Sequence, residues 1–310
     1  MPRAVLEILE AGPQCSVQDG GRAGLMRFGV PQSGAMDRVA LAVAQAAAGQ
    51  PAGAGVMEVS LGGLALRVVE GRLSFAVAGG GFIVRAGAVR SGSWSVVTLQ
   101  EGDDLIIERG RWGAWCILAP AGLLQAGQWL GSAATHALSG LGGGAIRAGQ
   151  HWVVEDARTL PDRPLTCPVW ARPRGEVAVV IGPQERHFPP ERIDMLLHAT
   201  FRLTDAYDRM GVRLRGPSLA PADALAIPSE PVLRGAVQVS GDGTATILLA
   251  DHQTTGGYPK IATVIGPELD ALVQSRPHAA LAFRAVTPDQ AIGLARTRAT
   301  ALARVLAAYT

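Results

Sequence analysis

Residues 74–108 read SFAVAGGGFIVRAGAVRSGSWSVVTLQEGDDLIIE, and this stretch decides the fold class. Ser74–Ala78, Trp94–Leu99 and Leu105–Glu108 are short runs of β-branched, aromatic and other apolar side chains. The Gly79-Gly80-Gly81 cluster and the Glu101-Gly102-Asp103-Asp104 turn interrupt them, as glycine and aspartate do wherever the chain must reverse. The same rhythm extends outward. Ala4–Leu9, Trp115–Ala119 and Trp152–Glu155 read as strands, and so do Glu176–Ile181, Ala236–Val239, Thr246–Ala250 and Ile261–Ile265. Short strands at near-regular spacing predict an all-β chain with a few helices, built as a sandwich or barrel.

Four helices break the pattern. The first has Ser33 as its predicted cap, an apolar face of Met36, Val39, Ala40, Val43 and Ala47, and Gly49 at its end. Short helices are expected at Glu191–His198 and from Pro267 to Gln274. The last starts with Thr287 as cap, Pro288 in the first position and Gln290 closing a capping box. Its stripe of Ile292, Ala295, Ala299, Leu302, Leu306 and Tyr309 must dock on the core or on a partner.

The chain has 310 residues, and at about 150 residues per domain that predicts two. Residues 157–175 are rich in proline and charge and make the best linker. The expected division is an N-terminal β subdomain over 1–172, carrying the early helix, and a β-barrel subdomain over 173–310, ending in the long helix. Charged residues are 17% against a usual ~25%, and the net charge is +2, so there is no basic stripe for nucleic acid or a membrane surface. No uncharged apolar run approaches the ~18 residues of a membrane span. The first ten residues lack the pattern of a signal peptide. Cys15, Cys116 and Cys167 are isolated and odd in number, which reads as reduced thiols in the cytoplasm. The six histidines never fall at HxH or HxxxH spacing, so no metal site is expected.

One count stands out: of 28 basic residues, Lys260 is the sole lysine. Lysine is a compact charge that can give up its proton when buried, which arginine does not. Lys260 lies in Ala250–Ala262, ADHQTTGGYPKIA, where ten polar or glycine-rich residues separate two apolar strands. A hairpin needs only two to five. Two other segments also exceed what turns require. Gly12–Asp37 sets Gln18, Asp19, Arg22, Ser33 and Asp37 among glycines that let backbone N–H groups approach an anion or carbonyl. Asp205–Pro217 carries Asp208, Arg209, Arg213 and Arg215. Read as a strand, it places the three arginines on one face, suited to a carboxylate or phosphate.

Five blocks, in order, carry a resemblance: GPQ-x-x-VQDGGR (12–22), GVPQSGAMDR (29–38), DRMG-x-R-x-x-GP (208–217), SE-x-x-x-x-GA-x-QV (229–239) and D-x-QTTGGYPKIATVI (251–265). Together they resemble the biotin-dependent carboxyltransferase family, which includes the allophanate hydrolase subunit 2 type proteins identified with the C-type component of 5-oxoprolinase. The resemblance runs from about Leu6 to the final helix. It implies a cyclophilin-like β-barrel architecture with two β subdomains. It also implies a B-type partner (the allophanate hydrolase subunit 1 type protein) which, with an A-type component, forms ATP-dependent 5-oxoprolinase and opens 5-oxoproline to glutamate. The family's other roles are transfer of a carboxyl group from carboxybiotin to urea or a similar amide, and non-catalytic regulation as antagonist of a kinase inhibitor. Lys260, Tyr258 and Asp19 are the candidate catalytic residues. Gln18, Arg22, Ser33, Asp37, Asp208, Arg209, Arg213, Gln238, Asp251, Gln253, Thr254, Thr255, Gly256 and Gly257 are the candidate binding residues for a small amide or lactam. All three segments are expected to meet in one cleft. No Ala-Met-Lys-Met motif is present, so covalent biotin is not expected on this chain; biotin carried elsewhere, or ATP, would enter with the assembled complex. The chain departs from the family pattern in three places: Gln45 and Gln50 stand for asparagines in the first helix, Ala133 stands for an arginine within Gly131–Thr135, and His278-Ala279 stands for Gly-Asp.

Overall fold

A computed structural model of the chain describes residues 2–222 and 227–309. Two compact units emerge: residues 1–22, 33–172 and 302–310 in the first, and 23–32 with 173–301 in the second.

The first unit holds β1 (Arg3–Ala11), β2 (Ser16–Gln18), α1 (Arg38–Ala47), β3 (Val56–Ser60), β4 (Leu64–Glu70), β5 (Arg72–Ala78), β6 (Ile83–Ala86) and β7 (Val89–Gly92). It continues with β8 (Ser95–Gln100), β9 (Asp104–Glu108), β10 (Trp115–Pro120), β11 (Leu123–Leu124), β12 (His151–Glu155) and β13 (Arg163–Pro164). They form two antiparallel sheets, ordered β11-β12-β1-β4-β9-β6-β7 and β13-β8-β5-β10-β3-β2. Two-residue alternation sorts their side chains into layers. On β5, Phe75 and Val77 join Leu6, Leu66 and Ile107 of the opposite sheet in one core. Ala76 and Ala78 face the other way, where α1 lays down Val39, Ala40, Val43 and Ala44. Small residues are required there, since a Cβ added at Gly79 would stand 3.1 Å from Ala40 Cβ.

The structure corrects the start of α1. Asp37, not Ser33, is the N-cap, accepting from Ala40 N at 2.8 Å. Ser33 lies further upstream at φ +55°. The 157–175 segment is no free linker: Leu165 N donates to Trp94 O at 2.7 Å, and β13 pairs with β8. β3 and the β6–β7 hairpin were not expected from the sequence.

The second unit is built on β14 (Glu176–Ile181), α2 (Pro190–His198), β15 (Phe201–Tyr207), β16 (Gly211–Arg215), β17 (Glu230–Pro231), β18 (Ala236–Val239) and β19 (Ala245–Leu248). It also includes β20 (Thr255–Gly256), β21 (Lys260–Val264), α3 (Gly266–Leu272), β22 (Ala280–Ala285) and most of α4 (Pro288–Leu306). Seven strands close a barrel in the order β14-β21-β18-β19-β16-β15-β22, sealed by the parallel β22–β14 pair. The capping box at the start of α4 forms reciprocally, Thr287 N to Gln290 Oε1 at 2.9 Å and Gln290 N to Thr287 Oγ1 at 3.2 Å. Leu302, Leu306 and Tyr309 pack on the α1 layer of the first unit's own core, while Ile292 stays half exposed. Among the described residues no helix is long and apolar enough to cross a membrane.

Candidate functional site

The barrel's pairing register builds the site. Val212, Ile247, Val237 and Ala262 lie side by side across β16, β19, β18 and β21, and all are buried. One residue along, strand alternation turns Arg213, Thr246 and Gln238 to the opposite face, and the register sets Lys260 opposite Gln238. A regular ladder would set Ile261 opposite Gln238. The irregularity at that point, one extra residue on β21, instead pairs Lys260 with Gln238. Arg213, Thr246, Gln238 and Lys260 are thus register neighbours across four strands.

Above this row is a cavity of about 470 Å³, lined by Arg213, Thr246 and Gln238 with Asp208, Gln253 and Tyr258. Gln253 Nε2 donates to Gln238 Oε1 at 3.1 Å, and Gln238 Nε2 reaches Tyr258 O at 3.4 Å, so the two amides orient each other. A Cβ at Gly256 would come within 2.6 Å of Gln238 Nε2, so a larger residue there would displace that amide. Thr255 and Gly256 form β20, paired with β17, and Thr254 O accepts from Val232 N at 3.1 Å. Lys260, one strand beyond Gln238, is 3% exposed and faces Glu230 Oε2 at 3.6 Å.

Several candidate groups are committed elsewhere. Arg209 does not share a strand face with Arg213: it precedes β16, is 2% exposed, and forms a bidentate pair with Asp251, both contacts at 3.0 Å. The two candidates Arg209 and Asp251 thus meet each other in a buried ion pair, apart from the row of Arg213. Asp208 Oδ1 holds the β15–β16 turn through Met210 N (2.8 Å) and Gly211 N (3.2 Å).

The remaining candidates belong to the first unit, where they organise loops. Asp19 is buried, and its carboxylate accepts from Gly21 N, Ser132 Oγ and Ala133 N, each at 2.7 Å. A carboxylate with three such donors fixes the loop around it. Arg22 donates to the carbonyls of Trp129, Ser132 and Ala134 and lies over the Trp129 ring. Gln18 Nε2 bonds Ser16 Oγ and Thr135 O. The Ser33 hydroxyl is buried, and Asp37 is the helix cap. Ala133, where the family pattern has arginine, is buried. Among the described residues no group of three or more His, Cys, Asp or Glu could hold a metal.

Residues 28–285 match the family profile described as carboxyltransferase domain, subdomain A and B. The chain belongs to this carboxyltransferase-domain family. It is 30% identical to the C-type component of 5-oxoprolinase from Haemophilus influenzae, over 94% of each chain. The solved structure of TTHA0988 superposes with TM-score 0.82 at 31% identity, covering 92% of this chain and 57% of that one. The Kluyveromyces lactis urea carboxylase gives TM-score 0.88 over 98% of this chain and 29% of that one; its 23% identity speaks to the fold alone. The chain therefore spans little more than half of one solved relative and under a third of the other.

Sequence reasoning on this carboxyltransferase-domain chain missed Thr246, Glu230 and Gln184. Glu230 stood inside a quoted block, SE-x-x-x-x-GA-x-QV, and its chemistry was the available signal. Gln184 had none, because only the β14–β21 pairing brings its loop against Lys260.

Proposed function

We propose that this chain is the C-type component of an ATP-dependent 5-oxoprolinase, acting in the cytoplasm with A-type and B-type partners to open 5-oxoproline to glutamate. The observation that carries the reading is the end-to-end match with a stand-alone protein of that name. The cavity supports it. A lactam acid presents a carboxylate and a cyclic amide, and the row offers Arg213 for the first and the Gln238 and Gln253 amides for the second. Opening the ring breaks the C–N bond, forms a C–O bond with water and delivers a proton to nitrogen. Lys260 is not in the cavity lining but is the register neighbour of Gln238, which is; it would serve as the cation near the developing oxyanion, with the Tyr258 phenol as the second group that can exchange a proton. ATP is handled by the assembled complex.

The family description favours a second reading, carboxyl transfer to urea or a related amide. Biotin would then arrive on another domain or chain, since the sole lysine here is 3% exposed and faces Glu230.

Co-expression with the A-type and B-type partners, followed by an assay of ATP-dependent glutamate release, tests the proposal. Release should require all three chains, and Lys260→Ala should cost on the order of 10²-fold in turnover. Lys260→Arg recovers activity only if charge alone is needed. Undiminished release without this chain overturns the proposal, whereas undiminished release from an assembled Lys260→Ala complex removes only Lys260 from the chemistry. Carboxyl transfer to urea in the same preparation would establish the second reading.

A further inference from the structure

Lys260 Nζ is buried and makes no hydrogen bond among the described residues. Its counter-charge, Glu230 Oε2, stands off at 3.6 Å, well beyond the ~2.7–2.9 Å of a charge-assisted hydrogen bond. What holds it there is Gln184, itself 1% exposed. Gln184 Nε2 donates to that same Glu230 oxygen at 2.7 Å. Its other amide atom, Oε1, accepts from Lys260 N at 3.0 Å, and Gln184 N donates to Lys260 O at 3.2 Å. One glutamine side chain therefore spans the pair, fastened to the lysine's own peptide at one end and to the glutamate's carboxylate at the other. Glu230 lies on β17, which pairs with β20 through Glu230 and Gly256, so it is tied to the loop that ends at Lys260.

A buried ammonium without an anion nearby is unfavourable, and one in a tight salt bridge has its donors occupied. This arrangement avoids both conditions. We infer that Glu230, held by Gln184, is a positioning residue: it neutralises Lys260, the register neighbour of Gln238, at a distance and leaves all three N–H donors for an oxygen of a small amide or carboxylate ligand. The inference rests on the reading of Lys260 as the group that meets substrate, and it adds the residues that make Lys260 fit for that task.

The sole lysine supplies a direct readout. Full-length protein labelled with 15N at the lysine side chain gives a single ammonium signal in an NMR spectrum. Glu230→Gln keeps the shape and can still accept from Gln184, but it removes the charge. It should shift or broaden that signal while thermal unfolding remains cooperative. Gln184→Ala should shift the signal with Glu230 intact, and Glu230→Asp should fall between parent and Glu230→Gln. In the assembled complex Glu230→Gln should lower kcat by about tenfold or more with KM little changed, a part of the ~10² expected for Lys260 itself. An unmoved signal in folded Glu230→Gln protein overturns the positioning role, even if Lys260→Ala is inactive. A moved signal combined with full turnover of Lys260→Ala supports the positioning of Lys260 and overturns only its use on substrate.

Discussion

Replacing Arg209 by methionine separates a substrate-binding arginine from a structural one. The guanidinium is 2% exposed and its partner Asp251 0%, and the two parallel contacts are both 3.0 Å. Asp251 N also donates to Arg209 O at 2.7 Å, so the pair pins the β16 hairpin against the start of the 250–262 loop. Arg209→Met takes the guanidinium from a fully buried carboxylate. Breaking one side of such a pair costs about 3–5 kcal/mol, or roughly 10 °C in Tm at 2–4 °C per kcal/mol for a chain of this size class. Arg209→Met combined with Asp251→Leu removes both charges, and apolar replacement of a whole buried pair is close to neutral. The double variant should therefore recover most of the loss, to within about 2 kcal/mol of the parent. Urea and thermal unfolding of the four proteins close the cycle. If Arg209→Met unfolds within about 1 kcal/mol of the parent and loses only ligand binding, the guanidinium serves substrate and the structural reading is wrong.

Two further outcomes follow from local geometry. Burial pushes the thiols of Cys15, Cys116 and Cys167 above the ordinary cysteine value, and Cys167 alone is not fully buried. Native protein at pH 8 should show at most one thiol reactive to a disulfide reagent, at Cys167, and three after unfolding. The linkage has a definite sign: the unfolded thiols ionise first, so stability should fall as pH rises past the ordinary thiol value, and a flat profile from pH 8 to 10 would contradict it. His278, at φ +69°, occupies backbone that favours glycine, and its contact to Asp205 at 3.3 Å is exposed at both ends. His278→Gly should raise stability by up to about 1 kcal/mol after the entropy cost of glycine, and a loss larger than that would show the contact matters more than the strain.

The strands that the sequence reveals are those with glycine or charge at their ends and apolar runs between, such as Trp115–Pro120 and Glu176–Ile181. β3 escapes because Val-Met-Glu-Val-Ser carries a glutamate where a buried strand should be apolar. Glu58 is fully buried all the same, since Met36 N, just ahead of α1, donates to it at 2.6 Å. The β6–β7 hairpin is missed because its four-residue strands alternate Val84 and Ala86 inward with Arg85 outward, too short a pattern to distinguish from a turn. The cap of α1 is misplaced for a related reason. Serine and aspartate are equivalent as caps in sequence, and only the bond from Ala40 N decides between Ser33 and Asp37.

The candidate site divides along one physical line, whether a polar side chain finds its partner inside its own unit. Asp19, Arg22, Arg209 and Asp251 are each nearly inaccessible and hydrogen-bonded to named donors or acceptors, so they set backbone geometry. Arg213, Thr246, Gln238, Gln253 and Tyr258 border open volume. A sequence writes both sets with the same letters, because pairing across 42 positions, as between Arg209 and Asp251, leaves no mark on local pattern. Composition does mark Lys260. In a chain that otherwise uses arginine for every basic position, a buried lysine whose ammonium makes no hydrogen bond to the described residues is the group that a planar guanidinium would replace least well. The register irregularity that pairs it with Gln238, and the glutamine that keeps Glu230 at arm's length, are features a purely structural lysine would not require.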